Sequence, residues 1–152
     1  MTEAGRATAK IMLPAEAATA RLAQDIAAAL RPGDILALSG NLGTGKSVLA
    51  RAAIRALAGQ PDLTVPSPTF ALRIEYPLDR FAITHVDLYR LTEDQEIDEL
   101  GLHEALETGA LIIEWPDRLR RPLSAERLDV VLEEENGGRL AIITPHGTWP
   151  AR

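Results

Sequence analysis

A short apolar run, Ile35–Leu38, leads into Gly40-Asn41-Leu42-Gly43-Thr44-Gly45-Lys46-Ser47. The chain then continues to Ala58 with Leu49, Ala53, Ile54 and Leu57 at helical spacing. Four apolar residues suffice only for a strand, and the absence of polar residues among them predicts burial on both faces. Strand, glycine-rich loop and helix in that order leave few architectures open, and α/β is the one they favour. The eight residues match the pattern G-x-x-x-x-G-K-[ST], whose backbone N–H groups converge on phosphates while the following helix aims its positive end at the same anion. Lys46 supplies a compact charge to the β- and γ-phosphates, and the Ser47 hydroxyl suits Mg²⁺. A glycine-rich turn without a ligand is the plain alternative. At ordinary residue usage a chance match in a chain this long comes to roughly one in a few hundred. Here lysine is scarcer than usual: 14 arginines stand against two lysines, Lys10 and Lys46. Where arginine occupies nearly every basic position, a lysine in a phosphate loop points to a place that the wide guanidinium fork does not fit.

The rest of the chain extends the α/β pattern. Ala9–Leu13 reads as a short strand and Pro14 as a helix start. Ala15–Leu30 reads as a helix through Leu22, Ile26 and Leu30, with alanines of high propensity between them. Arg31-Pro32-Gly33-Asp34 stops it. Phe70–Tyr76 and Phe81–Val86 read as paired strands, and Thr92–Glu107 as an acidic helix in two pieces broken at Gly101. Ala110–Ile113 is a second strand of the buried kind. Leu128–Glu134 and Arg139–Thr144 form a hairpin about Asn136-Gly137-Gly138. With no repeat, linker or composition break, the expectation is one P-loop-type domain over residues 1–152. Its sheet mixes parallel and antiparallel strands and is flanked by helices.

Several residues outside the loop are candidates for chemistry. Glu114 closes the run Ala110–Ile113, and an acid at the carboxyl end of a buried parallel strand is where a metal-holding carboxylate lies in such folds. An ordinary strand-end carboxylate is the alternative. Asp87, closing another strand, can position an attacking water, hold metal through water or cap the next turn. Thr69, in the proline-stiffened Ser67-Pro68-Thr69-Phe70, is either a switch that orders around a γ-phosphate or turn punctuation. Trp115 has three readings: packing near a nucleotide, a partner interface, or core. His85, His103 and His146 lack metal-ligand spacing and are expected in structural or surface roles. The acidic stretch from Glu93 to Glu107 and the cluster Arg118, Arg120, Arg121 and Arg127 are expected to be solvated faces, with docking surfaces as the alternative.

Composition removes several function classes. No cysteine means no disulfide framework, zinc knuckle or iron–sulfur centre, consistent with a reducing cytoplasm. No apolar run approaches the roughly 20 residues that span a bilayer, and Met1–Lys10 lacks a signal-peptide layout. A net charge of −6 makes the chain a poor holder of nucleic acid by itself.

Four segments together resemble the TsaE (formerly YjeE) family, small P-loop ATPases of bacterial tRNA threonylcarbamoyladenosine synthesis. They are the Gly40–Ser47 loop, Ser67-Pro68-Thr69-Phe70, His85-Val86-Asp87-Leu88-Tyr89-Arg90-Leu91 and Ile113-Glu114-Trp115-Pro116, and they span most of the chain. The resemblance implies ATP phosphates bound by Gly43, Thr44, Gly45, Lys46, Ser47 and Val48, with Mg²⁺ on Ser47 and Glu114. It implies catalytic roles for Asp87, Thr69 and Glu114, and makes Asp117 and Arg139 lesser candidates for nucleotide contact. Thr44 stands where the family commonly has Ala, and Ser47-Val48 where it has Thr-Thr; Val48 keeps only its backbone N–H for the α-phosphate. By the same resemblance the chain is an accessory ATPase that joins a TsaB–TsaD complex acting on adenosine 37 of tRNAs reading ANN codons, and meets tRNA only through those partners. A P-loop small-molecule kinase and a nucleotide-dependent binding switch remain the competing readings.

Overall fold

The computed structural model describes residues 8–41, 43, 45–68, 72–119 and 124–152. Thr44 and Thr69 of the candidate site, and Arg120 and Arg121 of the basic cluster, lie outside them.

Among the described residues, eleven strands and α-helices follow in order: β1 Ala9–Leu13, α1 Glu16–Ala29, β2 Ile35–Ser39, α2 Lys46–Ala58, β3 Arg73–Pro77, β4 Ala82–Asp87, α3 Asp94–Asp98, α4 Leu102–Thr108, β5 Gly109–Glu114, β6 Arg127–Glu135 and β7 Gly138–Pro145. The strands make one seven-stranded sheet in the order β1-β7-β6-β2-β5-β4-β3. Its centre, β6-β2-β5-β4, is parallel. The flanks are antiparallel: β3 on β4 at one side, β7 on β6 and β1 on β7 at the other. The sheet is therefore mixed, as expected, and β2 lies at its middle with β5 and β6 on either side.

Alternation along the central strands divides the core in two. Leu36, Leu38, Ile83, Ile112 and Val130 face α1 and α2. Ile35, Ala37, Val86, Leu111 and Ile113 face α3 and α4. Every residue of β5 is buried, as a parallel strand covered on both faces requires. Small residues let α1 and α2 pack closely: Ala23 and Ala27 on one, Ala50 and Ala53 on the other, are all buried.

Most element boundaries agree with the sequence reading to within a residue or two, and two differences have local causes. The strand expected from Phe70 begins at Arg73, because Leu72 has a left-handed backbone (φ 67°) that ends extended structure; Phe70 and Ala71 lie outside the described residues. The acidic run yields two short helices. Glu93 and Glu96 form a reciprocal capping box at the start of α3, and Gly101, with φ 68°, separates the two helices where the break was expected. In the last hairpin Asn136 and Gly137 both have positive φ, 50° and 81°, the geometry of a type I′ turn.

Candidate functional site

The parallel strands β2, β5 and β4 end side by side, and the candidate residues collect at that carboxyl edge. Leu38 of β2 is in register with Glu114 of β5, and Glu114 with Asp87 of β4. Residues in register share a face of the sheet, so both acids point toward α2, whose first turn carries Lys46 and Ser47. The loop reaches that helix through Gly43 (φ 81°) and Gly45 (φ 99°), the second capping α2. A side chain at Gly45 would be strained in that conformation.

Lys46 is 6% exposed, and its ammonium donates to the carbonyls of Gly40 at 2.8 Å and Asn41 at 2.9 Å. It also lies 4.4 Å from the centre of the Trp115 ring. Burial pushes its pKa below the ordinary lysine value, opposed by the charges of Glu114, Asp87 and Asp117 in that order. Glu114 is 3% exposed. Its Oε1 accepts the Ser47 hydroxyl at 3.1 Å, and its Oε2 faces His85 Nε2 at 2.7 Å. Among the described residues no three His, Asp or Glu side chains form a cage for a metal. A hydroxyl and a carboxylate beside a phosphate loop nevertheless fit Mg²⁺, a hard ion that takes one or two carboxylates and completes its shell with water and phosphate oxygens.

The other candidates are placed unequally. Asp87 is buried, and its Oδ1 accepts the Tyr89 N–H at 2.9 Å, a contact that caps the next turn. Asp117 is exposed in the 3-10 turn Pro116–Arg118, near enough for its charge to be felt at Lys46. Arg139 reaches the loop from the final hairpin and donates to the Gly43 carbonyl at 3.0 Å. Trp115, half-buried with φ 63°, packs against the core on the α3–α4 side and lies between Lys46 and the ring of Tyr89 4.7 Å away.

Two features escaped the sequence reading. His85, grouped with the structural histidines, is fully buried and bonded to Glu114. The available signal was its place two residues before Asp87, on the same face of one strand. The second is a cleft of about 290 Å³ beside the loop, lined by Leu13, Pro14, Thr19, Val48, Gly138 and Arg139. It joins the β1–α1 turn to the last hairpin, which are far apart in sequence. A larger cleft, about 660 Å³, lies between the distal halves of α1 and α2, where alanines of both helices share its lining with Gln24, Arg55 and Arg80. It holds neither a carboxylate nor a phosphate loop, so the chemistry assigns the site to the strand ends.

A family model described as "Threonylcarbamoyl adenosine biosynthesis protein TsaE" matches residues 13–141, a span that includes the phosphate loop, Asp87, Glu114, Asp117 and Arg139. Proteins called tRNA threonylcarbamoyladenosine biosynthesis protein TsaE are similar over most of their length. That of Rickettsia conorii is 40% identical over 136 residues, covering 88% of this chain and 77% of its own. That of Aquifex aeolicus is 32% identical over 126 residues, covering 83% and 86%. The crystal structure of Bacillus subtilis YdiB superposes with a TM-score of 0.75 at 27% identity, covering 94% of this chain and 88% of that one. A phosphate loop on a mixed sheet, acids at the ends of the adjoining strands and a family match across both together show that the chain belongs to the TsaE family.

Proposed function

We propose that this protein is an accessory P-loop ATPase of tRNA threonylcarbamoyladenosine formation, binding and hydrolysing Mg-ATP in a cytoplasmic complex with TsaB–TsaD. The observation that carries the reading is the meeting of Lys46, Ser47 and Glu114 at the carboxyl ends of parallel strands, in a chain of this family.

The chain's own groups divide the work. Backbone N–H groups of Gly43 to Val48, with the N-terminus of α2 behind them, bind the phosphates. The Lys46 ammonium exchanges the Gly40 and Asn41 carbonyls for phosphate oxygens, and its compactness suits a pocket already closed by Trp115. Ser47 and Glu114 would hold Mg²⁺, which supplies positive charge to the terminal phosphates. Asp87, in register with Glu114, orients water at the same edge. Thr69 is assigned the switch role on the family pattern alone. The cleft lined by Leu13, Pro14 and Val48, with Glu16, Thr19 and Arg139 also in its wall, is of suitable size for a base, and Arg139 ties it to the loop at Gly43. With a net charge of −6 the chain leaves the tRNA to its partners. No helix among the described residues is long and apolar enough to cross a membrane.

The test is phosphate release from Mg-ATP by the protein alone, with TsaB–TsaD, and with a panel of small phosphoryl acceptors. The expected result is hydrolysis that rises with TsaB–TsaD, and co-purification with that complex. Turnover indifferent to TsaB–TsaD counts against the accessory role, and phosphorylation of an acceptor replaces it with a kinase.

A further inference from the structure

Glu114 divides its two oxygens between different partners. Oε1 is shared with the Ser47 hydroxyl, and Oε2 lies 2.7 Å from His85 Nε2. A carboxylate only accepts, so the ring proton sits on Nε2 and points at Oε2. The ring is fully buried, and Nδ1 has no partner among the described residues. Among the described residues that bond is the ring's one hydrogen bond, and it goes to the carboxylate beside the phosphate loop. The strands determine the direction of the ring. His85 is in register with Ile112 of β5, two residues before Glu114, so its side chain rises on the α2 face just inside the carboxylate. Ser47 approaches the same carboxylate from the helix side. Glu114 is thus held between the sheet interior and the phosphate loop.

Resting on the Mg-ATP reading above, the geometry points to His85 as a positioning residue: it ties down Oε2 of Glu114 so that Oε1 alone is presented, with Ser47 Oγ, to a divalent cation on the nucleotide phosphates. His85 itself touches neither nucleotide nor cation. Groups that hydrogen-bond a ligating carboxylate typically change metal affinity by about 10–100-fold when removed.

The test is calorimetric titration of the full chain with a non-hydrolysable ATP analogue, once with Mg²⁺ and once in excess chelator, together with Mg²⁺ titration of the analogue-saturated protein. His85→Leu removes the donor at similar volume. His85→Gln returns an N–H near the position of Nε2, whereas His85→Asn is too short to reach Glu114. The expected result is a loss of about 10–100-fold in Mg²⁺ affinity for the Leu and Asn variants, with recovery in Gln and metal-free nucleotide affinity unchanged in all three. Wild-type Mg²⁺ affinity in the Leu or Asn variant overturns the proposal. So does an equal loss of nucleotide affinity with and without Mg²⁺, which marks a structural role. If the Leu variant does not fold, the contrast between Gln and Asn decides. A wild-type protein whose nucleotide binding ignores Mg²⁺ refutes the underlying Mg-ATP reading instead, and is seen before any variant is made.

Discussion

Lys46→Ala separates binding from folding because the structure assigns the ammonium opposite tasks in the two. Without nucleotide its charge is nine-tenths buried, satisfied by two backbone carbonyls at 2.8 and 2.9 Å, and disfavoured by that burial. A basic group whose folded pKa is lowered is held in its charged form at a cost to the fold below that pKa, so at neutral pH its removal relieves part of what the two lost bonds cost. The nucleotide-free variant should melt within about 3 °C of wild type. With nucleotide the ammonium meets phosphate charge. A unit pair at about 4 Å and an effective dielectric near 20 attracts by about 4 kcal/mol, and allowing for the two carbonyl bonds surrendered leaves about 3 kcal/mol, more than 100-fold in affinity. Thermal melting reads this directly. At about 100 times its Kd the ligand stabilises wild type by about 2.7 kcal/mol, or about 5–11 °C for a domain of this size. At the same concentration the variant is at or below half-saturation, and its gain falls to about 0.4 kcal/mol, or about 1–2 °C. A ligand-induced shift in Lys46→Ala within about 1 °C of the wild-type shift would refute the assignment of this lysine to the phosphates. Lys46→Arg should resemble the alanine variant, since a wide planar guanidinium cannot place one compact charge between the two loop carbonyls and the Trp115 ring as the ammonium does.

Three further outcomes follow from packing and charge. Asp34, 1% exposed, accepts both terminal nitrogens of Arg152 and the Arg31 N–H; Arg152→Ala should cost about 3–5 kcal/mol in urea unfolding, and a loss under about 1 kcal/mol would show that the pair contributes little. In Gly109→Ala the new methyl would run into the Ala82 carbonyl on the neighbouring strand β4, so the melting temperature should fall steeply; an unchanged value would mean that the β4–β5 pairing is looser than described. Glu126 has its pKa lowered chiefly by the backbone and then the hydroxyl of Thr148, so its stabilisation is present above the ordinary carboxylate range and is lost as pH falls through its folded value. Glu126→Gln should therefore flatten the pH dependence of stability below about pH 4.5, and a curve parallel to wild type would remove that contact from the acid response.

Local patterns carried much of this protein. Period and punctuation were enough to read α2 to its last residue and the turn at Asn136-Gly137, because helix spacing and positive-φ turns are written in neighbouring residues. The phosphate loop was equally legible, since its chemistry needs eight consecutive residues and nothing from elsewhere. Strand order was not. Nothing near β1 in sequence announces that it pairs with β7, or that β6 lies against β2 and so places the last hairpin over the loop.

The sequence by itself determined that a strand feeds a phosphate loop into a helix, and that acids close two further strands. Only the tertiary structure decided that Leu38, Glu114 and Asp87 stand in register at one edge, that Arg139 reaches Gly43 across 96 positions of chain, and that His85, buried in the core, bonds there to Glu114. The reason is physical. Side-chain period and loop chemistry are short-range properties, whereas which strand ends meet depends on how the two faces of the sheet are covered, and that is a property of the whole core.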